Sequence, residues 1–221
     1  MLGDGALSGA TLTVANGFTN NGLIELTSVL NAQGAGLTIS AGVLVNAATT
    51  GVFNVLPGTG GTRTFTGQLD NQGTVTIDQL LTFNGGPGTQ TNSGTVTLAG
   101  GDLTLGQSGS FTNAGTIDIG TGRTWTVNGG TLAYTGGAIG GAGTLNLSGV
   151  SFNLTPNFTN TTTGLALTGS TVNGPGILTN AAGKTLTLTN STVAAPFTND
   201  GLLVTRGGST AVSGALTAAV G

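Results

Sequence analysis

The chain contains no cysteine and no histidine in its 221 residues. Disulfides are thereby excluded, and so are the thiolate and imidazole ligands on which most zinc, copper and iron sites depend. Charge is scarce too: 5% of residues are Asp, Glu, Lys or Arg, and the net charge is −3. The four bases, Arg63, Arg123, Lys184 and Arg206, are scattered along the chain. Neutralising phosphates takes clustered Lys and Arg, so the sequence argues against a nucleic-acid partner. No apolar run reaches 18 residues, so no membrane-spanning helix is expected. The first twenty residues lack the basic segment followed by an apolar one that marks an export signal. Nor does any segment carry the i, i+3, i+4, i+7 apolar spacing of an amphipathic helix.

What remains is glycine, threonine, asparagine and aliphatic residues. The 43 glycines follow no strict three-residue period, which rules out a collagen-like triple helix. Disordered chains are poor in apolar residues and rich in charge, whereas 37% of this chain is apolar. The apolar residues alternate with Thr, Ser and Asn, which is the pattern of strands with one face buried.

One unit is repeated throughout. Phe111-Thr112-Asn113-Ala114-Gly115-Thr116-Ile117-Asp118-Ile119 shows its full form, and copies begin at Phe18, Leu69, Thr91 and Phe197. Looser copies surround Asn46, Asn160 and Asn180, and Gly141 takes the Asn place in another. Through anchors 20, 46, 71, 92, 113, 141, 160, 180 and 199 the steps run 26, 25, 21, 21, 28, 19, 20 and 19. Such a period is the signature of a solenoid. Each period holds short strands separated by Gly-rich corners, as in Thr95–Leu98, Gly100-Gly101, Leu103–Leu105 and Gly106–Gly109. The expected fold is therefore all-β: a right-handed parallel β-helix of about ten coils of roughly 19–28 residues, one domain spanning 1–221. At roughly 4.8 Å per layer its rod is on the order of 50 Å long. Leu103-Thr104-Leu105 should overlie Trp125-Thr126-Val127 and Leu81-Thr82-Phe83, placing Trp125 in the core. The step of 28 predicts an enlarged, irregular coil around 128–143. The corner residues Asn20, Asn46, Asn71, Asn92, Asn113, Asn160, Asn180 and Asn199 should stack as an amide ladder, with Asn tolerating the left-handed conformation that corners use.

The Phe/Leu-Thr-Asn-x-Gly-Thr-Ile/Val-x-Ile/Leu repeat resembles the β-helical shafts of bacterial autotransporter passengers and filamentous-haemagglutinin-like adhesins, over nearly the whole chain. The resemblance implies a secreted, cell-surface protein that serves adhesion, cell–cell aggregation or surface-layer construction. It carries no binding residue across, because the repeat is a packing motif.

No catalytic, cofactor-binding or metal residue is expected. Polysaccharide-cleaving β-helices need clustered carboxylates with nearby bases, but Glu25, Asp70 and Asp118 belong to different coils. Asp102 and Arg123, 21 residues apart, should meet across adjacent coils as a surface ion pair. Gly3-Asp4-Gly5 and Gly100-Gly101-Asp102 fall short of a calcium-binding nonapeptide, with too few oxygen ligands. The pairs Thr74/Thr76, Thr95/Thr97 and Thr185/Thr187 are read as equivalent positions of an outward hydroxyl array, the kind found on ice-binding solenoids. Thr116/Asp118, Thr144/Asn146 and Gly164/Ala166 interrupt it. Tyr134, in the irregular stretch, is the candidate contact for a ligand such as a sugar. The expected partners are a host or cell-surface glycan or protein, or a second copy stacked end to end. The latter reading rests on Gly5-Ala6-Leu7-Ser8 and Gly214-Ala215-Leu216-Thr217, neither of which carries a capping helix or charge.

Overall fold

The computed structural model describes residues 9–29 and 32–218. Ten coils stack along one axis, each contributing strands to three faces, and the described residues contain no helix. Every pairing between coils is parallel.

The first face runs from Ala10–Val14 through the leading parts of the long strands Ala35–Asn46 and Arg63–Asn71. It continues with Leu81–Gly86, Leu103–Gln107, Thr124–Asn128, Thr144–Ser148, Gly164–Thr168, Thr185–Thr189 and Leu202–Arg206. The second face holds Phe18–Asn20, the trailing parts of the two long strands, Thr89–Asn92, Ser110–Asn113, Thr131–Tyr134, Ser151–Leu154, Thr171–Asn173, Thr192–Val193 and Ala211–Val212. The third face is divided. Leu23–Leu26, Val52–Val55, Thr74–Ile77, Thr95–Leu98, Thr116–Ile119 and Ala138–Gly140 form a six-stranded sheet for coils 1–6. Phe158–Thr159, Leu178–Asn180, Phe197–Asn199 and Leu216–Ala218 form a separate four-stranded sheet for coils 7–10.

Strand alternation produces this arrangement. Successive side chains point to opposite faces of a strand, and constant register stacks like upon like. The inward column of the first face reads Leu37, Phe65, Phe83, Leu105, Val127, Leu147, Leu167 and Leu188, all buried. Phe65 packs its ring 4.9 Å from that of Phe83 and 5.8 Å from that of Phe53. Trp125 takes the expected place beside Leu103, fully buried, with Phe111 edge-on at 5.3 Å. Outward positions carry Thr, Ser and Asn, so these parallel strands alternate rather than reading as the unbroken apolar runs of sheets covered on both sides.

Residues 128–143 do not form the expected enlarged loop. They complete a coil of ordinary length with strands Thr131–Tyr134 and Ala138–Gly140, and Trp125 to Leu145 is a step of 20. The apparent step of 28 arises because its anchors, Asn113 and Gly141, close different corners.

Among the described inward positions Gln90, buried between Leu69 and Phe111, is polar, and Arg63 carries a charge. Arg63 sits between Ala35 and Leu81 in its column and is fully buried. Its guanidinium donates to the backbone carbonyls of Leu56 (2.9 Å), Pro57 (2.7 Å), Gly60 (2.9 Å), Thr62 (3.1 Å), Leu26 (3.2 Å) and Gln33 (3.3 Å). The wide corners of coils 1 and 2 turn their carbonyls inward there, and the planar fork satisfies both. Burial lowers its pKa from the ordinary value, because removing the ion from water disfavours charge. Lysine has three donors on a single nitrogen and cannot span this set. Replacing Arg63→Lys should lower unfolding free energy by about 3–5 kcal/mol, the scale of a broken buried charge contact. Denaturant unfolding followed by circular dichroism measures this, and Arg206→Lys at an exposed site should leave the midpoint unchanged.

Candidate functional site

The asparagines predicted from the repeat form hydrogen-bonded columns between coils. Asn20 Nδ2 donates to Asn46 Oδ1, Asn46 to Asn71, Asn71 to Asn92 and Asn92 to Asn113, each at 2.8 Å. The second amide hydrogen of each reaches the carbonyl that opens the third-face strand of the coil beyond, as from Asn71 to Thr95 O at 3.2 Å. All five are buried. They are the last residues of second-face strands, not left-handed corner residues. Among described non-glycine residues only Thr49 and Asn190 have positive φ. The glycine two places on has a different task. A Cβ on Gly115 would lie 2.2 Å from Gly94 O, and one on Gly94 would lie 2.1 Å from Gly73 O. Only a residue without a side chain lets these turns nest at the rung spacing.

The ladder ends at Asn113, whose register partner in coil 6 is Tyr134. Asn160 donates to Asn180 (2.9 Å) and Asn180 to Asn199 (2.8 Å), but these residues lie at the corner between the third face and the first. The eight asparagines thus form two ladders on different corners. The change falls between coils 6 and 7, where the third face is also interrupted. In coils 8 and 9 the corner between the first and second faces is sealed by buried serines, the first of which reaches Val150 of coil 7. Ser170 Oγ accepts from Val150 N (3.0 Å), and Ser191 Oγ accepts from Ser170 N (3.1 Å). Sequence reasoning missed this serine column. Its signal is the repeated Leu-Thr-x-Ser-Thr-Val at Leu167–Val172 and Leu188–Val193, where Ser keeps constant spacing from the inward residues.

Tyr134 is not a loop contact. It is a buried strand residue whose hydroxyl donates to Gly137 O at 2.9 Å and whose ring meets Phe158 edge-on at 5.4 Å. A large aromatic ring there fills the junction at which one ladder stops and the other begins.

The charged candidates are small surface ties between coils. Arg123 lies 3.7 Å from Asp102 and donates to Gly100 O at 3.1 Å, while Asp102 accepts from Thr124 N at 2.9 Å. Asp70 accepts from Thr91 one coil away and from Gln72. Glu25 and Asp118 point outward from the third face in coils 1 and 5. Among the described residues no three of Asp, Glu, His and Cys gather into a metal-holding group. Gly3-Asp4-Gly5 lies outside the described residues. The hydroxyl array must also be redrawn. Thr74/Thr76 and Thr95/Thr97 are register partners on the third face, but Thr185/Thr187 belongs to the first. On the first face an outward column runs Thr64, Thr82, Thr104 and Thr126 before Asn146 follows.

Fold and side chains together define a parallel β-solenoid scaffold of ten coils with internal amide and serine ladders. No family model, curated protein or solved structure matches the chain. Its likeness to adhesin shafts is therefore one of repeat and architecture.

Two measurements test the ladder reading. Asn92→Ala removes both its rung bonds and should cost about 2–3 kcal/mol, because the amide of Asn71 and the carbonyl of Asn113 lose partners in a buried site; chemical denaturation gives the value. Burial also pushes the Tyr134 phenol above its ordinary pKa. The unfolded chain ionises first, near pH 10, so this contribution to stability is whole below that pH and is lost as pH rises through the folded value. Tyr134 is the sole tyrosine; phenolate absorbance should therefore titrate above pH 10 in the native protein and return to the ordinary value in denaturant.

Proposed function

We propose that the chain is a non-catalytic structural or adhesive shaft from a bacterial cell surface or extracellular matrix. The observation that carries this reading is the continuity of the stack. First- and second-face strands pair without interruption through ten coils, so bending the rod requires breaking ladder bonds on two faces together. The outward surface is mainly hydroxyl and amide, which suits contact with water and with neutral polymers. Asp70 and Asp102 are engaged in tying one coil to the next, as shaft residues would be. The cysteine-free composition suits export of an unfolded chain.

A second reading, a fibre subunit stacking end to end, is favoured by the outermost described coils. Leu12 in coil 1 and Leu216 in coil 10 are 51% and 54% exposed, although their inward register partners Leu37 and Phe197 are buried. Gly5-Ala6-Leu7-Ser8, the other part of that reading, lies outside the described residues.

Electron microscopy of the purified chain, with analytical ultracentrifugation, tests both. Monodisperse stiff rods of roughly 50 Å that resist protease fit the shaft. Filaments with an axial repeat of that length would transfer support to the fibre. Flexible or globular particles, or cleavage of a panel of acidic polysaccharides, would overturn both.

A further inference from the structure

The corner joining the first face to the second changes length from coil to coil. In coil 2 four residues, Ile39 to Gly42, separate the last paired residue Thr38 from Val43. In coil 3 Gly67 alone separates Thr66 from Gln68. In coil 4 the pairings of Thr66 with Asn84 and Asp70 with Thr91 leave Gly85 to Gly88 at the same corner. One residue must turn where its neighbours use four. Gly67 does so at φ 138°, and a Cβ there would lie 2.9 Å from Ile39 Cβ and 3.0 Å from Ile39 O. Coil 3 is therefore recessed between two projecting corners, leaving a notch of about 290 Å³.

The lining is uncharged and sets amides and hydroxyls among apolar surface from Ile39, Ala41 and Pro87. Thr66 and Gln68 stand at the recessed coil, Ser40 on one wall, and Asn84 and Pro87 on the other. Asn84 Nδ2 donates to Thr66 Oγ1 of the adjacent coil at 3.3 Å, which fixes that amide beside the notch and leaves its carbonyl available. The side chains of Gln68 and Ser40 make no hydrogen bond among the described residues. Without Lys, Arg, Asp or Glu in the lining, a charged ligand would lose hydration and gain no counter-charge. A sugar ring suits the surface: each hydroxyl both donates and accepts, matching amides and hydroxyls that do the same, and its C–H face can rest on Pro87. The volume lies at the small end of ligand sites, which fits a terminal or branch sugar better than a long chain.

We propose that the notch across coils 2–4 is a binding site for one neutral sugar residue, held by Gln68, Asn84 and Ser40. This goes beyond the shaft reading and is separable from it, since a rod that bound no sugar would still be a rod.

The test is calorimetric and saturation-transfer titration of the full chain. The probes are glucose, galactose, mannose and N-acetylglucosamine with their β-linked disaccharides, and galacturonic acid is the charged control. At least one neutral sugar should bind. Asn84→Ala and Gln68→Ala should each weaken it about ten-fold, the scale of one lost hydrogen bond. Ala41→Trp, at an exposed position on the wall, should abolish binding while leaving the melting temperature unchanged. Asn128→Ala, an exposed amide on the first face of coil 6, should bind as the parent does. Failure of every neutral sugar to bind the parent chain, equal binding of galacturonic acid, or undiminished binding by Ala41→Trp would overturn the proposal.

Discussion

When a backbone winds with constant parallel register, each residue comes to lie above one at the same place in the preceding coil. Every side chain then needs neighbours that tolerate its own kind. Leucine over leucine removes both from water, and asparagine over asparagine turns two buried amides into donor and acceptor. A buried amide without a partner costs about 1–3 kcal/mol, so the ladder is stabilising only because it is repeated. Parallel pairing across coils thus makes a single-residue preference into a column, and the columns together make the rod.

Architecture was legible from the residues because each coil states the rule again. The alternation at Thr95–Leu98 and Thr116–Ile119 places Val96, Leu98, Ile117 and Ile119 inward, and these four are buried. The corners were less legible. Asn199-Asp200-Gly201-Leu202-Leu203 has the same local form as Asn113-Ala114-Gly115-Thr116-Ile117. The first leads into a first-face strand and the second into a third-face strand. Nothing within the five residues distinguishes them. Only the number of strands before the next Gly-rich corner does, and a ladder asparagine serves equally well at either place. Counting both as one column produced a false loop around Tyr134.

Arg63 was illegible for a different reason. Composition treats an arginine as surface charge, yet Arg63-Thr64-Phe65-Thr66 occupies the register of Leu81-Thr82-Phe83-Asn84. The position before Thr-Phe is inward whatever residue fills it. What makes arginine acceptable is the wide corner of residues 56–62, four of whose carbonyls accept from the guanidinium. The recessed corner at Gly67 was hidden likewise, because one glycine among 43 carries no mark of the coils above and below it.

The exchange of corner chemistry between coils 6 and 7 constrains how such a gene can lengthen. A unit duplicated within 69–113 meets amide above and amide below, so an added turn inherits a finished interface. The same unit inserted among 144–199 would set its asparagine on the wrong edge and face serine with glycine. Growth by tandem copying is thereby confined to each block. The seam at Tyr134 and Phe158 is where one kind of turn gives way to the other, with edge-on rings in place of a shared rung.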